Sequence, residues 1–87
     1  MDLAELIEKY FFVLMDIPME ETNKTLFLQA IKNKDKKNVE LWYEDVLKTA
    51  MIGGNHDACR MHFNRMRFYI NQEIGTNFQF VNDSDFS

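Results

Sequence analysis

The chain has 87 residues, with ten Lys and Arg against fourteen Asp and Glu for a net charge of −4, one Cys, one Pro and three Gly. That length makes one domain, a single Cys excludes an intrachain disulfide framework, and the acid excess speaks against a generic nucleic-acid binder, which carries a basic surplus. The longest unbroken apolar run, Tyr10 to Met15, falls far short of the roughly 20 residues a membrane-spanning helix needs. One thiol without a secretion-signal pattern points to a reducing, cytoplasmic setting.

The first helix is expected from Asp2 to about Asp16. Leu3, Leu6, Ile7, Tyr10, Phe11 and Leu14 repeat at three and four, the spacing of an amphipathic helix. Asp2, Glu5, Glu8 and Asp16 form an acidic face beside Lys9, and Phe12 falls in the middle of that polar side by the 100° helical step. Pro18 suits the first turn of a second helix, roughly 18–34. There Met19, Asn23, Leu26, Phe27, Ala30 and Ile31 share a face that Leu28 does not. Glu20 and Glu21 in the first turn, with Lys32 and Lys34 in the last, complement the helix dipole.

After the lysine-rich connector NKDKKN, Asn38 is placed to cap a third helix from Val39 to Ile52, ended by Gly53-Gly54. Its inner face is Val39, Trp42, Tyr43, Val46, Leu47 and Ala50, with Leu41 and Ile52 on the other side. Asn55 caps a fourth helix, Asp57 supports its first turn and Gly75 closes it. Ala58, Cys59, His62, Phe63, Met66, Tyr69, Ile70 and Ile74 make its apolar face. Phe78 and Phe80 alternate in a tail that reads as a short extended segment. The fold class is therefore all-α: a compact small domain of about four helices with short loops and an extended aromatic C-terminal tail. Residues 1–81 form the domain and 82–87 a polar, flexible end.

Charge is distributed in blocks. Residues 1–21 carry six acids and one Lys, and Lys24 to Lys37 holds five Lys and one Asp. All three arginines lie in CRMHFNRMRFYINQ, Cys59 to Gln72. Arg60, Asn64, Arg67 and Asn71 follow one another at four, three and four and share one narrow stripe, flanked by Met61 and Phe68 with Arg65 beyond. Two guanidiniums and two carboxamides on one face are suited to an acidic protein surface or to phosphates, and Phe68 to stacking on a base. The plainer reading is a solvated helix back whose arginines pair with acids of the same chain.

Catalytic and metal constellations are weak. His56, Cys59 and His62 are three apart, but they spread over about 120° of the wheel, and a structural zinc site wants four ligands with several thiolates. Cys59 with His62 as nucleophile and base needs an exposed thiol, whereas Cys59 lies in the apolar stripe. Gly53-Gly54 lacks the following Lys-Ser/Thr of a phosphate loop. Neither cofactor nor metal is implied, and no catalytic residue is assigned.

Six apolar residues, Phe12, Leu28, Leu41, Ile52, Met61 and Phe68, leave the inward stripe of their own helices. That is more large apolar surface than a small monomer comfortably exposes. Burial against a protein partner is expected, most simply in a homodimer with the Phe78 and Phe80 tail laid across the second subunit. The expected function is a small, acidic, non-enzymatic protein-interaction module: an adaptor, a regulator, or an inhibitor of a larger protein. A viral-type accessory inhibitor of a nucleic-acid-handling enzyme has the same profile, with Asp2, Glu5, Glu8 and Asp16 facing a basic groove. The alternative is a nucleotide or nucleic-acid binder using Arg60, Asn64, Arg67 and Phe68.

Overall fold

The structure, a computed structural model, describes residues 2–52 and 56–82, with His56 as backbone only. Among the described residues it is all-helical. Helix α1 occupies residues 3–15, α2 Glu21–Lys32, α3 Lys36–Ile52 and α4 His56–Ile74. The four expected helices are all present. The Gly53-Gly54 stop, the Asn55 cap and most of the polar 82–87 end lie outside the described residues.

Helix α1 changes its winding midway. It is α-helical over Leu3–Leu6, π-helical over Ile7–Phe11 and α-helical again over Phe12–Met15. The Ile7 carbonyl accepts the amide of Phe12, five residues on. A π turn holds one more residue than an α turn, so every later side chain is displaced by about one 100° step. Ile7, Phe11, Phe12 and Met15 consequently face inward, while Tyr10 and Leu14, expected inside, are 51% and 53% exposed. Phe12 is thus a core residue at 6% exposure, with its ring 6.2 Å from that of Phe27, and is not a partner-facing outlier. Asp2 caps the helix by accepting the amide of Glu5 at 2.8 Å. Asp16, at φ 50°, closes it in the left-handed conformation.

Helix α2 starts three residues later than Pro18 suggested. Residues 17–20 form a non-helical link in which Ile17 and Met19 are buried on either side of the exposed Pro18, as expected when the residue before proline avoids helical angles. Leu28 packs against the core from its edge, a second correction to the outlying set, whereas Leu26 is exposed. Helix α3 begins before Asn38 because Asp35 takes the capping role. Its carboxylate accepts the Asn38 amide at 3.4 Å and the Asn38 side chain at 2.6 Å. Gly75 ends α4 at φ +85°, its amide bonded to the Asn71 carbonyl at 3.0 Å, the expected glycine stop.

The core joins Ile7, Phe11, Phe12 and Met15 to Phe27 and Ile31, Val39, Tyr43 and Val46, and Cys59, Phe63, Met66 and Ile70. Helix α4 contributes to it along its whole length, running antiparallel to α1 so that Cys59 meets Met15 and Tyr69 meets Phe11. No described helix is long and apolar enough to cross a membrane.

Candidate functional site

The arginine and asparagine stripe does form one face of α4, and that face holds the chain's own C-terminal segment. Asn71 engages Phe78 twice: its Nδ2 donates to the Phe78 carbonyl at 3.1 Å, and the Phe78 amide donates to its Oδ1 at 3.0 Å. Asn64 repeats the arrangement at Val81, donating to the Val81 carbonyl at 2.9 Å and accepting the Val81 amide at 2.8 Å. Arg67, between them, donates to the Phe78 carbonyl at 3.0 Å. The Thr76 hydroxyl donates to Asn71 Oδ1 at 2.7 Å.

The spacing has a simple origin. Asn64 and Asn71 are two turns apart, about 10.5 Å along a helix at 1.5 Å per residue. Phe78 and Val81 are three residues apart, about 10 Å in extended chain at 3.3–3.4 Å per residue. An extended segment running antiparallel to α4 therefore offers a complete peptide unit to each carboxamide in turn. Each asparagine supplies one donor and one acceptor, doing for the segment what a neighbouring β-strand would do.

Side chains complete the clamp. The Phe78 ring lies flat on Tyr43 of α3, centroids 3.6 Å apart and planes 3° from parallel, while Phe63 meets Tyr43 edge-on at 5.3 Å. Val81 and Thr76 are buried. Phe80 points outward, with the Arg67 guanidinium 5.8 Å from its ring centre. The Tyr43 hydroxyl and Arg67 Nε are buried without a hydrogen-bond partner among the described residues. Burial raises the Tyr43 phenol well above its ordinary range, and the nearby Arg67 charge only partly opposes this.

The tail thus lies on its own helix, which corrects the expectation that Phe78 and Phe80 reach across a second subunit. Phe78 is partly buried here, and Asn64, Arg67 and Asn71 have main-chain partners within the chain. Tyr43, Thr76 and Val81 belong to the clamp although composition gave them no such role. The only signal for them was the match between the two-turn asparagine spacing and a three-residue step in the tail.

The remaining sequence-selected residues separate into two regions. Met61, Phe68 and Phe80 are 55%, 51% and 56% exposed on the outer side, where Tyr69 is also exposed. Phe80 joins them: it borders a 720 Å³ depression shared with Asp57, Arg60, Met61 and Asn64, and a 260 Å³ one shared with Arg65, Phe68 and Tyr69. Leu41 and Ile52 are exposed on α3. On the acidic side, Asp2, Glu5 and Glu8 line a shallow groove between α1 and α2, which Lys32 also borders. Asp16 lines a neighbouring one with Lys24. Glu5 pairs with Lys9 at 3.6 Å, so the acidic face carries cations within and opposite it.

Cys59 is buried and donates its thiol to the Met15 carbonyl at 3.4 Å. Burial, then Asp16, pushes its pKa up, the opposite of what a nucleophilic thiolate needs. His62 Nδ1 is buried without a hydrogen-bond partner among the described residues. No group of three or more metal-ligating side chains comes together among the described residues.

Comparison with protein-family models, curated proteins and solved structures gives no significant match for this chain.

Proposed function

We propose that the protein is a non-enzymatic interaction module that binds another protein through the outer strip of α4 and the tail. One observation carries this reading: the exposed Phe80 borders one depression with the exposed Met61 and another with the exposed Phe68, with Arg60, Arg65 and Arg67 among their linings. Aromatic residues, Met and Arg are the types enriched at interface centres, and contiguous exposed apolar surface of this kind marks contact sites. Phe80 is held in place by the clamp on either side of it, so the surface is pre-organised and little ordering is required on binding. The complementary partner surface has an apolar recess with acidic groups at its edge. A second copy of the chain, which carries acidic residues on α1, is one such partner. Action as an adaptor, regulator or inhibitor in a reducing cytoplasm fits this reading.

A nucleotide or nucleic-acid ligand is the second reading, favoured by the exposed Phe68 and Phe80 rings beside Arg65, which suit base stacking. It is weakened by the engagement of Asn64, Arg67 and Asn71 with main-chain groups of the tail, and by the net charge of −4.

Native mass spectrometry of gently purified protein tests both. The expected result is a defined complex with protein, lost in Phe68→Glu and retained in Leu41→Glu, with helical circular dichroism unchanged in each. A bare monomer throughout overturns the interaction reading. An added mass of a few hundred daltons, or bound nucleic acid, transfers the strip to the second reading.

A further inference from the structure

The clamp recognises chain, and very little of that recognition depends on the tail's being covalently attached. The side chains that grip the segment's backbone and stack on its ring, Asn64, Arg67 and Asn71 of α4 and Tyr43 of α3, all lie outside the tail. Four of its hydrogen bonds join Asn64 and Asn71 to the backbone of Phe78 and Val81, two donated by the asparagines and two accepted by them, and backbone contacts are independent of side-chain identity. Three side chains are read: the buried Thr76, whose hydroxyl donates to Asn71, an aromatic ring laid on Tyr43, and a buried aliphatic three residues beyond that ring. Gln79 and Phe80 between them are exposed. Main-chain bonds for affinity and spaced pockets for specificity are the logic of extended-peptide recognition.

We propose that the face formed by Asn64, Arg67, Asn71 and Tyr43 is a binding site for an extended peptide segment of pattern aromatic-x-x-aliphatic. Residues 76–82 are its resident occupant, and a partner protein supplying such a segment displaces them. This goes beyond the outer-strip reading and can fail or stand separately, because it concerns the surface beneath the tail.

The attached segment competes at an effective concentration of roughly millimolar, typical of short linkers. A free peptide of the same sequence must therefore reach that range to displace it, however tight the intrinsic contact. Weakening the resident segment unmasks the site.

The probe is a fluorescein-labelled peptide TNFQFVN, titrated by anisotropy into the full chain and into full-chain Phe78→Ala. Saturable binding at least about tenfold tighter to Phe78→Ala than to wild type is expected, by the effective-concentration argument. Adding Asn64→Leu and Asn71→Leu to that variant should abolish it, and TNAQFVN should bind at least about tenfold more weakly, having lost the ring that stacks. No saturable binding to folded Phe78→Ala at millimolar peptide overturns the proposal, as does binding that ignores the asparagine changes. If Phe78→Ala loses its helical signal, nuclear magnetic resonance of the wild-type chain decides. Millimolar TNFQFVN should then shift the Asn64 and Asn71 side-chain amides, and TNAQFVN should not. Equal responses to the two peptides overturn it.

Discussion

Asn71 and Phe78 form a closed two-bond ring, carboxamide to peptide unit, at 3.1 and 3.0 Å. This ring packs the segment that follows α4 against the core, because it seats the Phe78 side chain on Tyr43. Asn71→Leu removes three hydrogen bonds, including that from Thr76, and leaves the part-buried Phe78 amide unpaired, while the Phe78 carbonyl keeps its bond from Arg67. The expected loss is about 2–3 kcal/mol, read as a fall of about 10–20 °C in Tm for a domain of this size. The loss is capped by the docking free energy of the segment, since a released tail recovers its hydrogen bonds from water. Asn64→Leu combined with Asn71→Leu should therefore cost clearly less than the sum of the singles. Full additivity in thermal unfolding would show that the two asparagines do not act on one segment.

The four helices were legible because apolar residues recur at three and four along each of them in the sequence. What escaped were features set by a second element. The stripe Arg60, Asn64, Arg67 and Asn71 was visible on a wheel, but a wheel shows one helix, and the partner of the stripe is a peptide backbone that carries no sequence signature. Phe12 was misplaced for a related reason. The π turn at Ile7–Phe11 accompanies the joint burial of Phe11 and Phe12, and a uniform 100° step cannot anticipate it. The caps moved where two candidates stood close: Asp35 precedes Asn38 and took its place.

Tyr43 yields a pH prediction. Burial holds its phenol protonated well above the usual value of about 10. Between the unfolded and the folded pKa, the folded state binds more protons, so stability falls as pH rises. This contribution is complete below about pH 10 and is lost progressively above it. Tyr43→Phe keeps the ring on Phe78 and removes an unpartnered buried hydroxyl. At pH 7 the variant should be neutral or more stable by up to about 1 kcal/mol, and from pH 10 upward its advantage over wild type should grow. Urea unfolding at pH 7 and 11 measures both, and an advantage that shrinks at pH 11 would reverse the assignment.

Cys59 should be protected twice, by burial and by a thiol pKa pushed upward by its surroundings. Its sulfur donates to the Met15 carbonyl, so reaction requires the junction between α1 and α4 to open. Iodoacetamide at pH 8 should label the native chain at least about 100-fold more slowly than the urea-unfolded chain, as expected for a buried protonated thiol. Comparable rates, followed by mass spectrometry, would place the thiol at the surface.

The π turn makes the sharpest prediction about the fold. Ile7, Phe11, Phe12 and Met15 are buried at spacings of four, one and three. Removing one residue between Ile7 and Phe11 turns the first spacing into three, giving an unbroken α-helical stripe of three, one and three. Deletion of exposed Lys9 accomplishes this and sacrifices only a surface pair with Glu5, worth about 0.5 kcal/mol or less. The deleted chain should fold with a Tm within a few degrees of wild type, an unusual tolerance for a deletion inside a helix. Phe12→Ala, which leaves the helix uninterrupted, should instead cost about 3–5 kcal/mol through the cavity beside Phe27. That is comparable to the lower end of the stability expected of 87 residues at about 0.05–0.15 kcal/mol each. If thermal unfolding ranks the two in the opposite order, α1 carries Phe12 outward in an ordinary α-helical register, and the inward packing described for it is wrong.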